Sequence, residues 1–190
     1  MIMHLLAEGH MEEAVAARLF SFCGHELGRV YGRRGFMYIR EKAAQFSHLA
    51  TQDSGVLVLT DFRDTGAMCF TAALQQYIWR SLPDPPGTFL CRFAVNELES
   101  WLLADRAGLA KFLGIAAAKM PHQPERDNFP KKTLAALARG SRKNIIRDGI
   151  APPLGHGGAV GPGYMPLMRE FVTEFWNIEA ATASNAKPLF

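Results

Sequence analysis

Val56-Leu57-Val58-Leu59-Thr60-Asp61-Phe62-Arg63-Asp64 is the stretch that decides the fold. Its first four residues are apolar without alternation, as in a strand whose sheet is covered by helices on both faces. The run then stops on acid: Asp61 emerges at the strand's carboxyl end, and Asp64 follows three positions later. Two other stretches behave alike. Met3-His4-Leu5-Leu6-Ala7 stops at Glu8-Gly9, and residues 89–95 lead into Asn96-Glu97-Leu98-Glu99-Ser100-Trp101. The carboxyl ends of parallel strands open onto one crevice, where ligands bind. Acids gathered there, rather than spread over helix surfaces, suit a hard divalent cation and point to metal-dependent phosphate chemistry.

Between these strands the spacing turns helical. Residues 11–24 place Ala14, Val15, Leu19 and Phe22 on one face, with Glu12 and Glu13 in the first turn. Residues 28–35 read as a short edge strand or turn, and residues 36–49, 66–80 and 96–104 as helices. Asp105 is placed to cap a helix over 106–113 that ends at Gly114. Helices over 131–139 and 164–176 follow, and the tail after Ile178 is expected to fray. The order is β-α-(β)-α-β-α-β-α, an α/β three-layer sandwich. Residues 1–105 read as the core and 106–190 as a helical and loop extension packed on the same domain.

The bulk numbers bound the class. A chain of 190 residues, 48% apolar and 21% charged, supports one folded domain. No apolar run approaches the ~20 residues of a membrane helix, and the start lacks the basic and small-residue features of a signal peptide. The expectation is a cytoplasmic protein without membrane association. Cys23, Cys69 and Cys91 are odd in number and widely spaced, which indicates neither a disulfide framework nor a zinc site. Cys69, in a helix, and Cys91, in a strand, read as small core residues. A net charge of +3 permits nucleic-acid contact without requiring it.

Each candidate carries a plainer alternative. Glu8, at a strand-to-helix junction beside Gly9, projects into the crevice or merely caps a helix. Asp61 has little structural reason to end an apolar strand, whereas Asp64 is placed to cap the next helix. Glu97 and Glu99 point in different directions on one helix, so only one reaches the crevice. Arg33, Arg34, Lys131, Lys132 and Lys143 either line a phosphate path or are simply solvated. His4 reads as a buried, hydrogen-bonded strand residue. The glycine-rich stretch 155–163 lacks the Gly-Lys-Ser/Thr ending of a phosphate loop and reads as a lid or connector. No Gly-x-Gly-x-x-Gly follows the first strand, which disfavours a dinucleotide binder.

The acidic segments together carry a resemblance. Leu5-Leu6-Ala7-Glu8-Gly9-His10-Met11-Glu12-Glu13 resembles the V-E-G-x-T-E opening of Toprim-type domains, the fold of topoisomerases, primases and OLD-family nucleases. Residues 56–64 resemble their acidic strand end. Arg92-Phe93-Ala94-Val95-Asn96-Glu97-Leu98-Glu99-Ser100-Trp101-Leu102-Leu103-Ala104-Asp105 is similar to the E-x-E-A-W-x-L-x-D signature of a Toprim-like group of unknown function, the RloG-like domains. Pro130-Lys131-Lys132-Thr133-Leu134 and residues 164–172 resemble that group's N-P-K-x-x-L segment and aromatic helix. The resemblance implies a Toprim-like sandwich with a mostly parallel sheet and a helical C-terminal extension. It implies a magnesium- or manganese-dependent nuclease, in a bacterial setting of defence against foreign DNA. Glu8 and Asp61 would be catalytic, with Glu8, Asp61, Asp64, Glu97 and Glu99 as metal ligands, acting on DNA or RNA. Arg63, at the position of the usual second acid, departs from the pattern. It joins the basic residues as a nucleic-acid contact, and it leaves open a non-catalytic module that binds nucleic acid or an ATPase partner.

Overall fold

The computed structural model describes residues 1–155 and 157–183, so His156 of the glycine-rich stretch and the tail from 184 lie outside the described residues. The chain divides after Val95 into two compact units. The first contains β1 (Ile2–Ala7), α1 (His10–Phe22), β2 (Glu26–Gly32), α2 (Gly35–Phe46), β3 (Ser54–Asp61), α3 (Phe70–Leu74) and β4 (Phe89–Ala94). All strand pairs are parallel, in the order β2-β1-β3-β4. The chain moves outward from β1 to β2, then crosses back past β1 to β3. Strand order therefore reverses between β1 and β3, which makes that boundary the switch point where α/β sheets bind ligands.

Register explains the core. Leu6 lies beside Val58 and Val58 beside Cys91, while Val56 lies beside Phe89. These residues pack with Ile39 and Ala43 of α2, Ala73 and Leu74 of α3, and Ile78 and Phe93. The intervening residues Leu5, Ala7, Leu57 and Leu59 point to the other face and are buried too, as are Val15, Ala16 and Phe20 of α1. Right-handed crossovers put α1 on the face opposite α2 and α3. Each buried Leu or Val contributes about 1.5–3 kcal/mol, so two covered faces account for the unbroken apolar strands.

Several boundaries differ from the sequence reading. Residues 28–35 belong largely to a full seven-residue strand, β2. The helix expected over 66–80 starts late, because the chain first forms a 3₁₀ turn at Phe62–Thr65 and α3 begins only at Phe70. Thr65 causes the delay: its hydroxyl donates to the Phe62 carbonyl at 2.6 Å and accepts the Ala67 N–H at 3.1 Å, a local turn that competes with helix. Past α3 the backbone widens into a π-turn over Gln75–Trp79. Cys69 precedes α3 and is exposed, not a core residue, whereas Cys91 is buried as expected. His4 is only partly buried, and its Nδ1 accepts the Arg29 N–H at 3.0 Å.

The second unit is helical: α4 (Glu99–Ala104), α5 (Arg106–Leu113), α6 (Pro130–Arg139), α7 (Asn144–Ile150), α8 (Tyr164–Glu170), a π-turn at Phe171–Phe175, and α9 (Ile178–Ala183). The helix expected from residue 96 starts at Glu99, because the Asn96 amide donates to the carbonyls of Glu125 and Asp127 at 3.3 and 2.6 Å. Asp105 caps α5 as expected: Oδ1 accepts the Gly108 N–H and Oδ2 the Asn177 N–H, both at 2.9 Å. Gly114, at φ +70°, ends that helix. Where fraying was expected after Ile178, the chain forms α9. Among the described residues, no helix is long and apolar enough to cross a membrane.

Candidate active site at the carboxyl edge of the sheet

Glu8 follows β1 directly, and the register that sets Leu6 beside Val58 carries it to Thr60. The pleat sends both side chains to the same face. The Thr60 hydroxyl donates to Glu8 Oε1, and the Asp61 N–H donates to the same oxygen at 3.1 Å. The chain leaving β2 bends over this rim. Arg33 N–H donates to the Ala7 carbonyl at 2.8 Å and Gly35 N–H to the Glu8 carbonyl at 3.4 Å. The bend needs left-handed backbone at Gly32 (φ +100°), Arg33 (φ +60°) and Gly35 (φ +76°). A Cβ on Gly32 would sit 2.2 Å from the Ala7 carbonyl oxygen, so only glycine fits. Arg33 bears a strain of about 1 kcal/mol for its conformation.

The bend starts α2 at the rim, with the Phe36 N–H facing the Glu8 carboxylate. A helix N-terminus favours negative charge. Burial nevertheless dominates: it pushes the Glu8 carboxyl above the usual glutamate value. The Thr60 and Asp61 hydrogen bonds pull it partly back, the Asp64 charge raises it again, and the Phe36 N–H lowers it slightly. Glu8 is thus half-buried, oriented by three donors and electrically coupled to Asp64.

Asp61 and Glu8 stand at the ends of adjacent strands, as the sequence implied, but Asp61 approaches through its main chain. It comes one residue after Thr60, and the pleat assigns its side chain to the opposite face. Asp64 and Arg63 are exposed on the 3₁₀ turn that follows. Glu97 and Glu99 belong to the second unit, around the first turn of α6. Glu97 Oε2 accepts the Lys131 N–H at 2.8 Å. Glu99 is 2% exposed; its Oε1 accepts the Tyr164 hydroxyl at 2.5 Å and lies 3.4 Å from Lys131 Nζ.

The predicted basic residues disperse into local partnerships. Arg33 Nε and Nη2 both reach Glu13 Oε2, at 3.0 and 2.7 Å, and His10 Nδ1 is 3.5 Å from the same oxygen. The Arg34 guanidinium lies 5.3 Å from the Tyr38 ring centre, and Lys132 Nζ 4.9 Å from that of Phe129. Lys143 Nζ donates to the carbonyls of Lys111 and Phe112 at 3.3 and 2.9 Å, satisfying the end of α5. The sequence reading missed Thr60 and the N-terminus of α2 as parts of the site.

Among the described residues, no three His, Cys, Asp or Glu side chains gather into a metal-holding cluster. The sheet edge offers a coupled pair instead. No protein-family model, curated protein or solved structure matches the chain. The site's chemistry therefore stands on its geometry.

Proposed function

We propose that the carboxyl edge of this parallel sheet is a magnesium-dependent phosphodiester-hydrolysing centre on a Toprim-like three-layer sandwich, with Glu8 as its principal acid. The observation that carries this reading is the half-buried Glu8 at the switch point, clasped by Thr60 and the Asp61 N–H and raised by burial and by Asp64. A carboxylate in such a place costs the fold stability, since burial and a like charge both oppose its ionisation. A cation relieves both penalties. Magnesium takes one or two protein carboxylates and fills its remaining positions with water and substrate phosphate. Glu8 and Asp64 fit that need, while Asp61 contributes its main-chain N–H to Glu8 rather than a third carboxylate.

Magnesium held there would neutralise charge on a phosphoryl oxygen and make water a stronger nucleophile. The chain's own groups supply the rest. Thr60 and the Asp61 N–H fix the rotamer of Glu8, which holds its carboxylate in place as a ligand or general base. The N-terminus of α2 adds a positive dipole end toward the same crevice. DNA or RNA is the substrate class this chemistry serves.

Calorimetric titration with manganese tests the reading. Wild type binds at or below millimolar metal, and Glu8→Gln and Asp64→Asn each weaken binding by about tenfold or more through loss of a charged ligand. Absence of binding by folded wild type at millimolar metal overturns the catalytic reading and leaves the non-catalytic module.

A further inference from the structure

Arg40 of α2 and Arg80, just past the π-turn, open onto one cavity of about 380 Å³ that Gln76, Tyr77 and Ser81 also line. Every polar side chain on this wall can donate a hydrogen bond, and none is a carboxylate. Among the described residues, neither guanidinium forms an ion pair. Arg40 instead lies 5.9 Å from the Tyr77 ring centre, and Phe36 meets that ring edge-on at 5.2 Å. A stacked guanidinium keeps its fork of donors for a planar or tetrahedral oxyanion. The π-turn matters to the arrangement, because such widened turns cluster at functional positions. A cleft lined by one sign of charge focuses field and concentrates anions.

The position of this cavity indicates which anion. Phe36, whose N–H faces Glu8, is four residues before Arg40 on α2. At 1.5 Å per residue, Arg40 lies about 6 Å further along the helix, comparable to the step between neighbouring phosphates of an extended strand. The volume exceeds what a bare phosphate needs and falls in the range of ligand pockets, roughly 300–1,000 Å³. We propose that Arg40 and Arg80 hold a backbone phosphate of a single polynucleotide strand whose neighbouring phosphodiester lies at Glu8. The proposal rests on the phosphodiester reading of the rim, yet strand binding is separable from cleavage.

Fluorescence anisotropy of the full chain with short labelled oligothymidylate or oligouridylate, in chelator, separates the two. Wild type binds at low salt. Arg40→Gln/Arg80→Gln lowers affinity by about tenfold or more, and the slope of log affinity against log salt shrinks by about 0.7, the value for one phosphate neutralised on a single strand. Arg40→Lys/Arg80→Lys, which keeps charge but loses the fork, retains most of the salt slope. Arg126→Gln, an exposed cation of the second unit, leaves the slope unchanged. Preference for one of the two strands identifies DNA or RNA as the source of the phosphate. Equal binding by wild type and the folded double Gln variant overturns the proposal, as does wild type that binds neither strand. Neither result bears on metal binding at Glu8. Loss of strand binding in the double variant, in a protein without hydrolytic activity, supports the pocket while removing the catalytic reading.

Discussion

Thr60→Val isolates the clasp on Glu8. Valine keeps the branched shape that suits a strand and replaces only the hydroxyl. Thr60 is 1% exposed, so no water replaces the lost donor from its side. A hydrogen bond to a charged group is worth about 1.5–3 kcal/mol when buried, and the half-exposure of Glu8 cuts this to about 1–1.5 kcal/mol. When Glu8 is protonated the bond is neutral and worth about 0.5–1 kcal/mol. The folded carboxyl lies above its unfolded value, so the folded state holds the proton more readily. Stability linked to Glu8 is therefore fully present below the usual glutamate value and is lost as pH rises through the raised folded value. Thr60 lowers that folded value, and removing it widens the window over which stability falls. Urea unfolding at about pH 4 and about pH 8 should show the Thr60→Val deficit growing by about 0.5 kcal/mol toward higher pH, with unchanged m. A deficit equal at both pH values, or one larger in acid, refutes the clasp.

Two other outcomes follow from buried groups. Tyr164→Phe removes the hydroxyl that meets buried Glu99 and should destabilise the second unit by about 1.5–3 kcal/mol; urea unfolding followed by fluorescence, with Trp101 and Trp176 buried in that unit, checks this, and a loss under about 0.5 kcal/mol contradicts it. A thiol reagent should titrate exposed Cys23 and Cys69 in the native chain and Cys91 only after unfolding, because burial pushes the Cys91 thiol up to about 12; rapid native reaction of all three counts against the packing of β4.

The strands were legible because burial on both faces writes an unbroken apolar run, as in Val56 to Leu59. The acids at their ends could be placed for the same reason: Glu8 and Asp61 follow those runs, and β1 and β3 are neighbours. What escaped depends on contacts remote in sequence or on side-chain turns. Thr60 reads as an ordinary strand residue until register sets it beside Glu8, 52 positions away. The late helix start after Asp64 follows from Thr65 bonding to its own turn, which periodicity does not register. The burial of Glu99 needs Tyr164, 65 residues later, and the Lys131 side chain. The local partners of Arg33 and Lys143 were not legible either, because a basic residue in sequence carries no sign of the carboxylate or helix end it meets. Arg40 and Arg80 were passed over for the opposite reason, since only the packing of α2 on the π-turn brings them to one cavity.

The central claim is that Glu8 directs metal-dependent cleavage, and the most direct test is a cleavage assay on DNA and RNA with magnesium, comparing wild type with Glu8→Gln. Glutamine keeps an acceptor for Thr60 and the Asp61 N–H, so the fold and the clasp survive while the charged ligand and base are lost. Wild type should cleave with magnesium and stop with chelator, and Glu8→Gln should lose about a hundredfold or more of the rate, the scale of a removed acid–base group. Cleavage that persists equally in Glu8→Gln, or wild type that binds metal and strand yet leaves both substrates intact, contradicts the account.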